Sequence, residues 1–233
     1  MERLDKLLSA QTTLSRRDAT AAIRRGRVTV NGACVRDPAV KVDPDAASVT
    51  LDGQAVTYRR YIYIMLNKPA GILCVSRDPH APTVVDLLPE EWRCRGLFPA
   101  GRLDKDTTGM VLLTDDGDYA HRMLAPKKHV PKRYVATLDS AIDQAVCDAF
   151  ASGMTLASGE VCLPASCEPA DGNRAFVTLH EGKYHQIKRM FAACGRHVEA
   201  LHRLSMGGLL LDSSLSPGEF RLLSETEAMT VFL

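Results

Sequence analysis

The sequence lacks any long hydrophobic run. None of its apolar stretches approaches the roughly 18 residues that a membrane-spanning helix needs, and the longest are Ile62–Leu66 and Leu209–Leu211. The N-terminus carries Glu2, Arg3 and Asp5 where a secretory signal peptide would have its apolar stretch. We therefore expect a soluble, cytoplasmic protein that does not interact with a membrane.

The signatures of metal and nucleotide sites are also missing. The seven cysteines are scattered and form no C-x-x-C pair, so reduced thiols that pack as small hydrophobic side chains are expected. The pairs His180/His185 and His197/His202 are five residues apart, which is not the spacing of metal ligands on one helix face. Gly207-Gly208 lacks the third glycine and the following helix of a phosphate-binding loop. No metal site is predicted.

An excess of one charge sign is absent as well. In 233 residues, 29 Lys and Arg balance 28 Asp and Glu, and the net charge of +1 argues against a strongly basic nucleic-acid binder. The charge is nevertheless unevenly divided: residues 1–60 carry +4 and residues 61–233 carry −3. The 45% of hydrophobic residues suffices for a core, and the length suits one large or two unequal domains.

The N-terminal part has the pattern of two short helices followed by β-hairpins. Leucines at positions i, i+3 and i+4 of Leu4–Leu8 predict the buried face of a first helix. Ser15 is placed to cap a second helix that ends at Gly26. After it, Val28–Val30 alternates as a strand and Asn31-Gly32 is a strong hairpin signal.

The rest of the chain mixes strands and helices without a regular βαβ alternation. The strands predicted most strongly are Tyr61–Leu66, Met110–Thr114, Tyr134–Leu138, Phe176–His180 and Val198–Leu204. The best helix is Gln186–Cys194, while Asp118 and Ser224 are expected to cap two further helices. This pattern predicts an α+β fold with a largely antiparallel sheet.

The N-terminal part resembles the S4 RNA-binding domain, a helix-turn-helix followed by a β-hairpin. The resemblance covers residues 2 to about 45 and is carried by Arg3–Lys6, Ser15-Arg16 and Gly26–Gly32. It implies that the helix pair lies against RNA and that its cations neutralise phosphates with little sequence reading. The residues expected to do so are Arg3, Lys6, Arg16, Arg17, Arg24, Arg25 and Arg27.

The densest polar stretch of the larger part is Gly101–Gly109, which leads directly into the strand that begins at Met110. Its Asp104 and Asp106 have the spacing of two catalytic acids or of a D-x-D metal site. They also fit a solvated turn, which is the interpretation that spacing alone favours. At this point the three alternatives stay open.

Four motifs in order then resemble the RsuA/Rlu family of pseudouridine synthases. They are Asn67-Lys68-Pro69-x-Gly71, Gly101–Gly117, Lys132-Arg133-Tyr134 and Glu181–Met190. The segment Leu73–Leu88 is most similar to the RsuA branch, which modifies 16S rRNA. The resemblance implies an S4 domain in residues 1–59 and a catalytic domain in residues 60–233, with a mainly antiparallel sheet flanked by helices.

The family isomerises uridine to pseudouridine by breaking the C1′–N1 bond, turning the base and forming a C1′–C5 bond. Nothing is added or oxidised, so no cofactor is expected. The resemblance implies that Asp104 is the catalytic carboxylate, that Tyr134 stacks on the target base, and that Lys188 is the cation beside Asp104. Burial alone would protonate a carboxyl group, so such a cation is needed. Arg189 is the alternative candidate for that cation and is also expected to contact RNA.

The reaction requires the uridine to leave its stack. Arg102 is expected to fill the vacated space or to hold a phosphate, and Asp106 to shape the loop. The predicted partner is ribosomal RNA, with 16S favoured, either free or in an assembling pre-30S particle with ribosomal proteins. The protein is expected to be a monomer. The alternatives are a 23S rRNA synthase of the same family and a non-catalytic S4 assembly factor.

Overall fold

The computed structural model describes residues 1–93, 95–125 and 130–233, which form two compact units. The first unit comprises Met1–Tyr61 and Leu88–Leu97, and the second comprises Ile62–Leu87 and Phe98–Leu233. Both mix helices with mostly antiparallel strands, so the predicted α+β class is confirmed. The domain boundary expected after residue 59 stays a prediction.

The described residues of the first unit form three helices and two small sheets. Its helices are α1 (Leu4–Gln11), α2 (Arg16–Arg24) and α3 (Glu90–Arg93). Its strands are β1 (Glu2–Arg3), β2 (Val28–Val30), β3 (Ala33–Cys34), β4 (Lys41–Val42), β5 (Val49–Leu51) and β6 (Gln54–Ala55). One sheet has the order β3-β2-β5-β6, and β1 pairs with β4. The two predicted helices and the hairpin at Asn31-Gly32 are confirmed.

A core of aliphatic side chains joins these helices to the sheet. Leu4, Leu7 and Leu8 of α1 pack with Ile23 of α2, as their spacing predicted. Ser15 caps α2 by accepting a hydrogen bond of 3.1 Å from the backbone N–H of Asp18.

The segment Leu88–Leu97 is separated in sequence from the first stretch of this unit, yet it packs within it. Arg95 donates hydrogen bonds to the carbonyl oxygen of Ala10 (3.0 Å) and to Oε1 of Gln11 (2.9 Å). No local sequence pattern predicts that Leu88–Leu97 packs within the first unit, because this packing depends on contacts between residues that are distant in sequence.

The second unit is built on one large sheet. Its strands are β7 (Tyr63–Lys68), β8 (Phe98–Ala100), β9 (Thr108–Thr114), β10 (Lys132–Leu138), β11 (Met154–Thr155), β12 (Val161–Cys162), β13 (Ser166–Pro169), β14 (Arg174–Leu179), β15 (Val198–Met206), β16 (Leu209–Leu210) and β17 (Phe220–Leu222). Nine of them, among the described residues, form a sheet whose main path is β13-β14-β10-β15-β9-β7-β17. Only the pairing of β15 with β9 is parallel within that described path.

Among the residues described in this unit, the helices are α4 (Gly117–Leu124), α5 (Gln144–Ser152), α6 (Gln186–Ala193) and α7 (Glu225–Met229), and α7 leads into a 3₁₀ turn at Thr230–Phe232. The predicted start of α6 and the predicted cap of α7 are confirmed, but the cap expected for α4 is wrong. Asp116 rather than Asp118 caps α4, because its Oδ1 accepts the Tyr119 N–H at 3.0 Å. Asp116 is also the partner of the buried Tyr63 hydroxyl, which burial and this carboxylate keep protonated by raising its pKa.

The six described cysteines are free thiols, and four of them are buried, as small hydrophobic side chains are. Cys94 lies outside the described residues. In the described part of the chain, no helix combines the length and the apolar content that crossing a bilayer requires.

Gly109 allows the parallel strands β9 and β15 to approach each other. Its φ is +97°, and a Cβ atom there would lie 2.4 Å from the carbonyl oxygen and 2.6 Å from the backbone nitrogen of Arg203. Any other residue would therefore push apart the two strands that position Arg203 beside the polar loop Gly101–Thr107.

We expect Gly109→Ala to destabilise the protein more than Gly218→Ala. Gly218 has a similar φ of +92° but open space where its Cβ would lie. The backbone strain alone should cost about 1–2 kcal/mol at either position, and the clash at Gly109 should add about 1–3 kcal/mol. The free energy of unfolding in urea measures both variants. Equal losses would contradict the close approach as the reason for Gly109.

Candidate active site

A cavity of about 650 Å³ opens on one face of the large sheet. Its walls come from the loop between β8 and β9, from β10 and β15, and from the loop before α6 together with the first turn of that helix. The polar side chains that line it include Arg102, Asp104, Lys132, Tyr134, His185 and Lys188. Motifs that are far apart in sequence thus meet in a single concave site.

A buried lysine holds the loop that carries Asp104. Lys68, at the end of β7, has no solvent exposure, and its Nζ donates to the carbonyl oxygens of Pro69 (3.1 Å), Lys105 (3.0 Å) and Thr107 (2.8 Å). Burial lowers the pKa of Lys68, and the negative charges of the nearby aspartates act in the opposite direction. The hydrogen bonds from Lys68 therefore fix the backbone carbonyl groups of the residues on both sides of Asp106.

A buried arginine holds the other end of the same loop. The Nε of Arg203 donates to the carbonyl oxygen of Met110 at 2.7 Å, and its terminal nitrogens lie 3.4 and 3.5 Å from the carbonyl oxygens of Gly101 and Arg102. Arg203 is only 1% exposed. Its guanidinium also lies 6.0 Å from the ring centroid of Tyr134, the residue opposite it in the β10–β15 ladder.

Two basic side chains from the α6 region face the carboxylate of Asp104. The Nε2 of His185 lies 3.5 Å from its Oδ1, and the Nζ of Lys188 lies 3.9 Å from its Oδ2. Lys188 is closer to Asp106, whose two oxygens it contacts at 2.6 and 2.7 Å. That hydrogen bond holds the pKa of the Asp106 carboxyl below its usual range. Lys188 is thus shared between the two carboxylates.

The floor of the cavity is formed by side chains of β10. Lys132 and Tyr134 are two residues apart and therefore point to the same face of the sheet, where both are buried. The Nζ of Lys132 donates to the carbonyl oxygen of Val130 at 2.9 Å. Burial, and secondarily the charge of Arg203, lower the pKa of Lys132 to about 8.

Residues 62–193 match the family described as RNA pseudouridylate synthase, and residues 2–47 match the S4 domain. Over 230 residues the chain is 47% identical to the uncharacterized RNA pseudouridine synthase YtzG of Bacillus subtilis, covering 97% of this chain and 96% of that protein. The chain belongs to the RNA pseudouridylate synthase family.

Two further relatives agree with this assignment. The chain is 44% identical over 233 residues to ribosomal small subunit pseudouridine synthase A of Escherichia coli, with 98% of this chain and 99% of that protein covered. A crystal structure of a pseudouridylate synthase matches with a TM-score of 0.69 at 38% identity, covering 99% of this chain and all of the other. This pseudouridine synthase is therefore of the RsuA type with an S4 domain, an architecture that implies an RNA substrate.

The structure of this synthase brings together four of the residues named from its sequence and separates a fifth. Arg102, Asp104, Tyr134 and Lys188 all line the cavity. Arg189, the alternative to Lys188, does not: its guanidinium contacts Glu160, Ser158 and the Tyr184 carbonyl oxygen. The one-residue step along α6 turns the two side chains to different faces, as the helical repeat requires.

The cations expected to bind RNA in the S4 domain divide into two sets. Several are paired within their own unit: Arg3 with Asp5, Lys6 with Glu2, Arg16 with Asp5 and Arg27 with Asp52. Arg17, Arg24 and Arg25 of the α2 region are exposed and form no ion pair with any described residue. The unpaired set is thus confined to α2 and the residue after it.

Sequence reasoning assigned no role to Lys68, Arg203 and His185. Lys68 and His185 belong to two of the family motifs, so the sequence marked both residues but did not predict which groups they contact. Arg203 offered little local signal, because its strand β15 also carries the polar residues Glu199, His202 and Ser205. His185 has a left-handed backbone (φ +48°), which no spacing pattern indicates.

Proposed function

We propose that this synthase isomerises a uridine of 16S rRNA and that Asp104 is its catalytic carboxylate. The observation that carries the proposal is the environment of Asp104: a partly exposed carboxylate in a cavity, with Lys188 and His185 within 4 Å. The choice of 16S rests on the similarity to the Escherichia coli enzyme, whose name gives the small ribosomal subunit as its target.

In this proposal the carboxylate acts in its ionised form at C1′ of the target ribose. As the C1′–N1 bond breaks, its electron pair goes to the uracil, and Asp104 either bonds to C1′ or stabilises the electron-poor sugar. The base then turns, C5 bonds to C1′, and the C5 proton is lost while N1 gains one. Lys188 and His185 keep the carboxylate oriented throughout these steps.

Tyr134 is proposed to stack on the uracil while it turns. Its strand is paired on both sides and its ring is buried beside Arg203, so the ring offers a face in a fixed position. Arg102 is exposed at the cavity, two residues before Asp104. It is suited to fill the space that the flipped uridine leaves or to hold a phosphate.

The S4 domain is proposed to supply phosphate affinity. Arg17, Arg24 and Arg25 are suited to this because their charges are not already paired with a described residue. Free 16S rRNA and an assembling pre-30S particle are both compatible with such contacts, since phosphates are exposed in each. A monomeric protein remains the prediction.

We expect Asp104→Asn to lower kcat for pseudouridine formation by about four orders of magnitude or more, with RNA affinity retained. The substitution keeps the shape of the side chain and removes its charge. Asp118→Asn is the matched control, since Asp118 is an exposed residue of α4 that does not line the cavity. Carbodiimide treatment and primer extension on unmodified 16S transcript measure the product.

Each result of that experiment decides between named alternatives. A new primer-extension stop in 23S transcript, with none in 16S transcript, would mean that the enzyme modifies the RNA of the large subunit. Product from the Asp104→Asn enzyme at the wild-type rate would remove Asp104 from its role. No product from the wild-type enzyme on naked RNA or on assembling particles would favour a non-catalytic S4 assembly factor.

We expect Lys188→Met to lower kcat by about 100-fold or more, because it removes a cation that faces both loop carboxylates. Arg189→Met removes the same charge from the next residue and should change kcat far less, because Arg189 is directed to Glu160. Single-turnover rates of the two variants make the comparison. The opposite order of effects would assign the catalytic cation to Arg189.

We expect the triple variant Arg17→Ala, Arg24→Ala, Arg25→Ala to bind RNA more weakly with kcat unchanged. The slope of log K against log salt concentration should decrease by about one for each phosphate that is no longer neutralised. Arg174→Ala, which removes an exposed arginine of the second unit, is the control and should leave the slope unaltered. An unchanged slope in the triple variant would exclude this surface from RNA binding.

A further inference from the structure

An aromatic side chain stands exposed beside the proposed catalytic carboxylate. Tyr184 is 75% exposed, although tyrosine is usually at least half-buried, and it lines the cavity. The mechanism above makes no use of it. It belongs to the loop before α6, and the next residue, His185, contacts Asp104.

One face of the Tyr184 ring is already occupied. It stacks on the imidazole of His185 with a centroid distance of 3.9 Å and an angle of 17° between the planes. Because the same imidazole lies 3.5 Å from Oδ1 of Asp104, the stack leads from the carboxylate to the solvent-exposed edge of the cavity. The remaining ring surface of Tyr184 is available to a ligand that approaches along the cavity edge.

The loop that carries this stack is held by hydrogen bonds within the protein. The carbonyl oxygen of Tyr184 accepts from Arg189 at 3.0 Å, and Lys183 N–H donates to Oε1 of Gln186 at 3.0 Å. The buried Gln186 in turn donates to Glu181 at 2.6 Å. His185 has φ +48° and ψ +34°, a conformation that is costly for a bulky side chain and is maintained by these contacts.

The charges around the cavity edge indicate which ligand would use this ring. Arg102 and Lys105 are exposed on the loop around Asp104 and form no ion pair with a described residue. An exposed aromatic face beside unpaired cations is the combination that binds single-stranded nucleic acid, where bases stack and phosphates are neutralised. A flipped uridine at Asp104 stays covalently linked to its neighbours, which therefore lie close to the opening of the cavity.

We propose that the Tyr184–His185 stack is a binding subsite for a nucleobase adjacent to the target uridine. The inference rests on the proposed function, since it places the target at Asp104. The subsite would hold the RNA strand in the register that brings C1′ to the carboxylate. The subsite would bind a base by stacking and not by hydrogen bonds, so it would accept any of the four bases.

The test compares Tyr184→Ala with Tyr184→Phe on protein-free 16S transcript. We expect the alanine variant to raise KM by about 5- to 100-fold, the loss that removing one base stack produces, with kcat nearly unchanged. The phenylalanine variant keeps the ring and should behave as wild type. Leu210→Ala, which removes an exposed apolar side chain that does not line the cavity, is the control.

A second measurement requires binding but no turnover. Ultraviolet irradiation of the Asp104→Asn protein bound to the transcript should crosslink the peptide that contains Tyr184 to a nucleotide next to the target. Thermal melting shows whether each variant is folded. If Tyr184→Ala unfolds, the proposal is decided by the crosslink, because the Asp104→Asn protein used for it retains Tyr184.

Several results would overturn the subsite. They are an unchanged KM in Tyr184→Ala, equal defects in the alanine and phenylalanine variants, and a crosslink that excludes the Tyr184 peptide. A defect seen only on particles that contain ribosomal proteins would assign the ring to a protein contact instead. A wild-type enzyme that modifies no 16S uridine, yet crosslinks through Tyr184, would contradict the proposed target and retain the stacking subsite.

Discussion

Two buried cations hold the loop Gly101–Thr107 by its carbonyl oxygens, and the geometry of the cavity depends on them. Lys68 reaches the loop from β7 and Arg203 from β15. Neither forms an ion pair with a described residue, so backbone carbonyl groups stabilise both charges, and the nearby loop aspartates also act on Lys68. Removing a charge from water costs several kcal/mol, which makes these hydrogen bonds obligatory. A loop held in this way has little freedom to move Asp104.

The same two cations link the sheet topology to the proposed chemistry. The single parallel pairing in the described sheet, between β9 and β15, puts Arg203 beside the loop that precedes β9, and Gly109 allows the two backbones to approach. Lys188 and His185, from the region of α6, approach the carboxylate that the same loop carries. The carboxylate of Asp104 therefore has His185 and Lys188 within 4 Å, while the backbone of its loop is held by Lys68 and Arg203.

Local patterns in the sequence predicted the elements well and the contacts poorly. The leucines of α1, the cap at Ser15 and the apolar face of α6 follow from helical periodicity, and the structure confirms them. Asp118 was the wrong cap for α4, because two nearby aspartates satisfy the same pattern and only the buried Tyr63 hydroxyl selects Asp116. The return of Leu88–Leu97 and the contacts of Arg203 join distant parts of the chain, and no local pattern contains them.

The motifs predicted which residues share the cavity but not how their charges are distributed. Lys188 was expected beside Asp104, yet it lies closer to Asp106, the residue that was expected mainly to shape the loop. Because one ammonium group is shared, Asp106 helps to fix Lys188 in the cavity wall, 3.9 Å from Asp104. A substrate that occupies the cavity excludes water and strengthens every charge interaction inside it. Asp104 lines the cavity and Asp106 does not, so this strengthening acts mainly on the contact between Lys188 and Asp104.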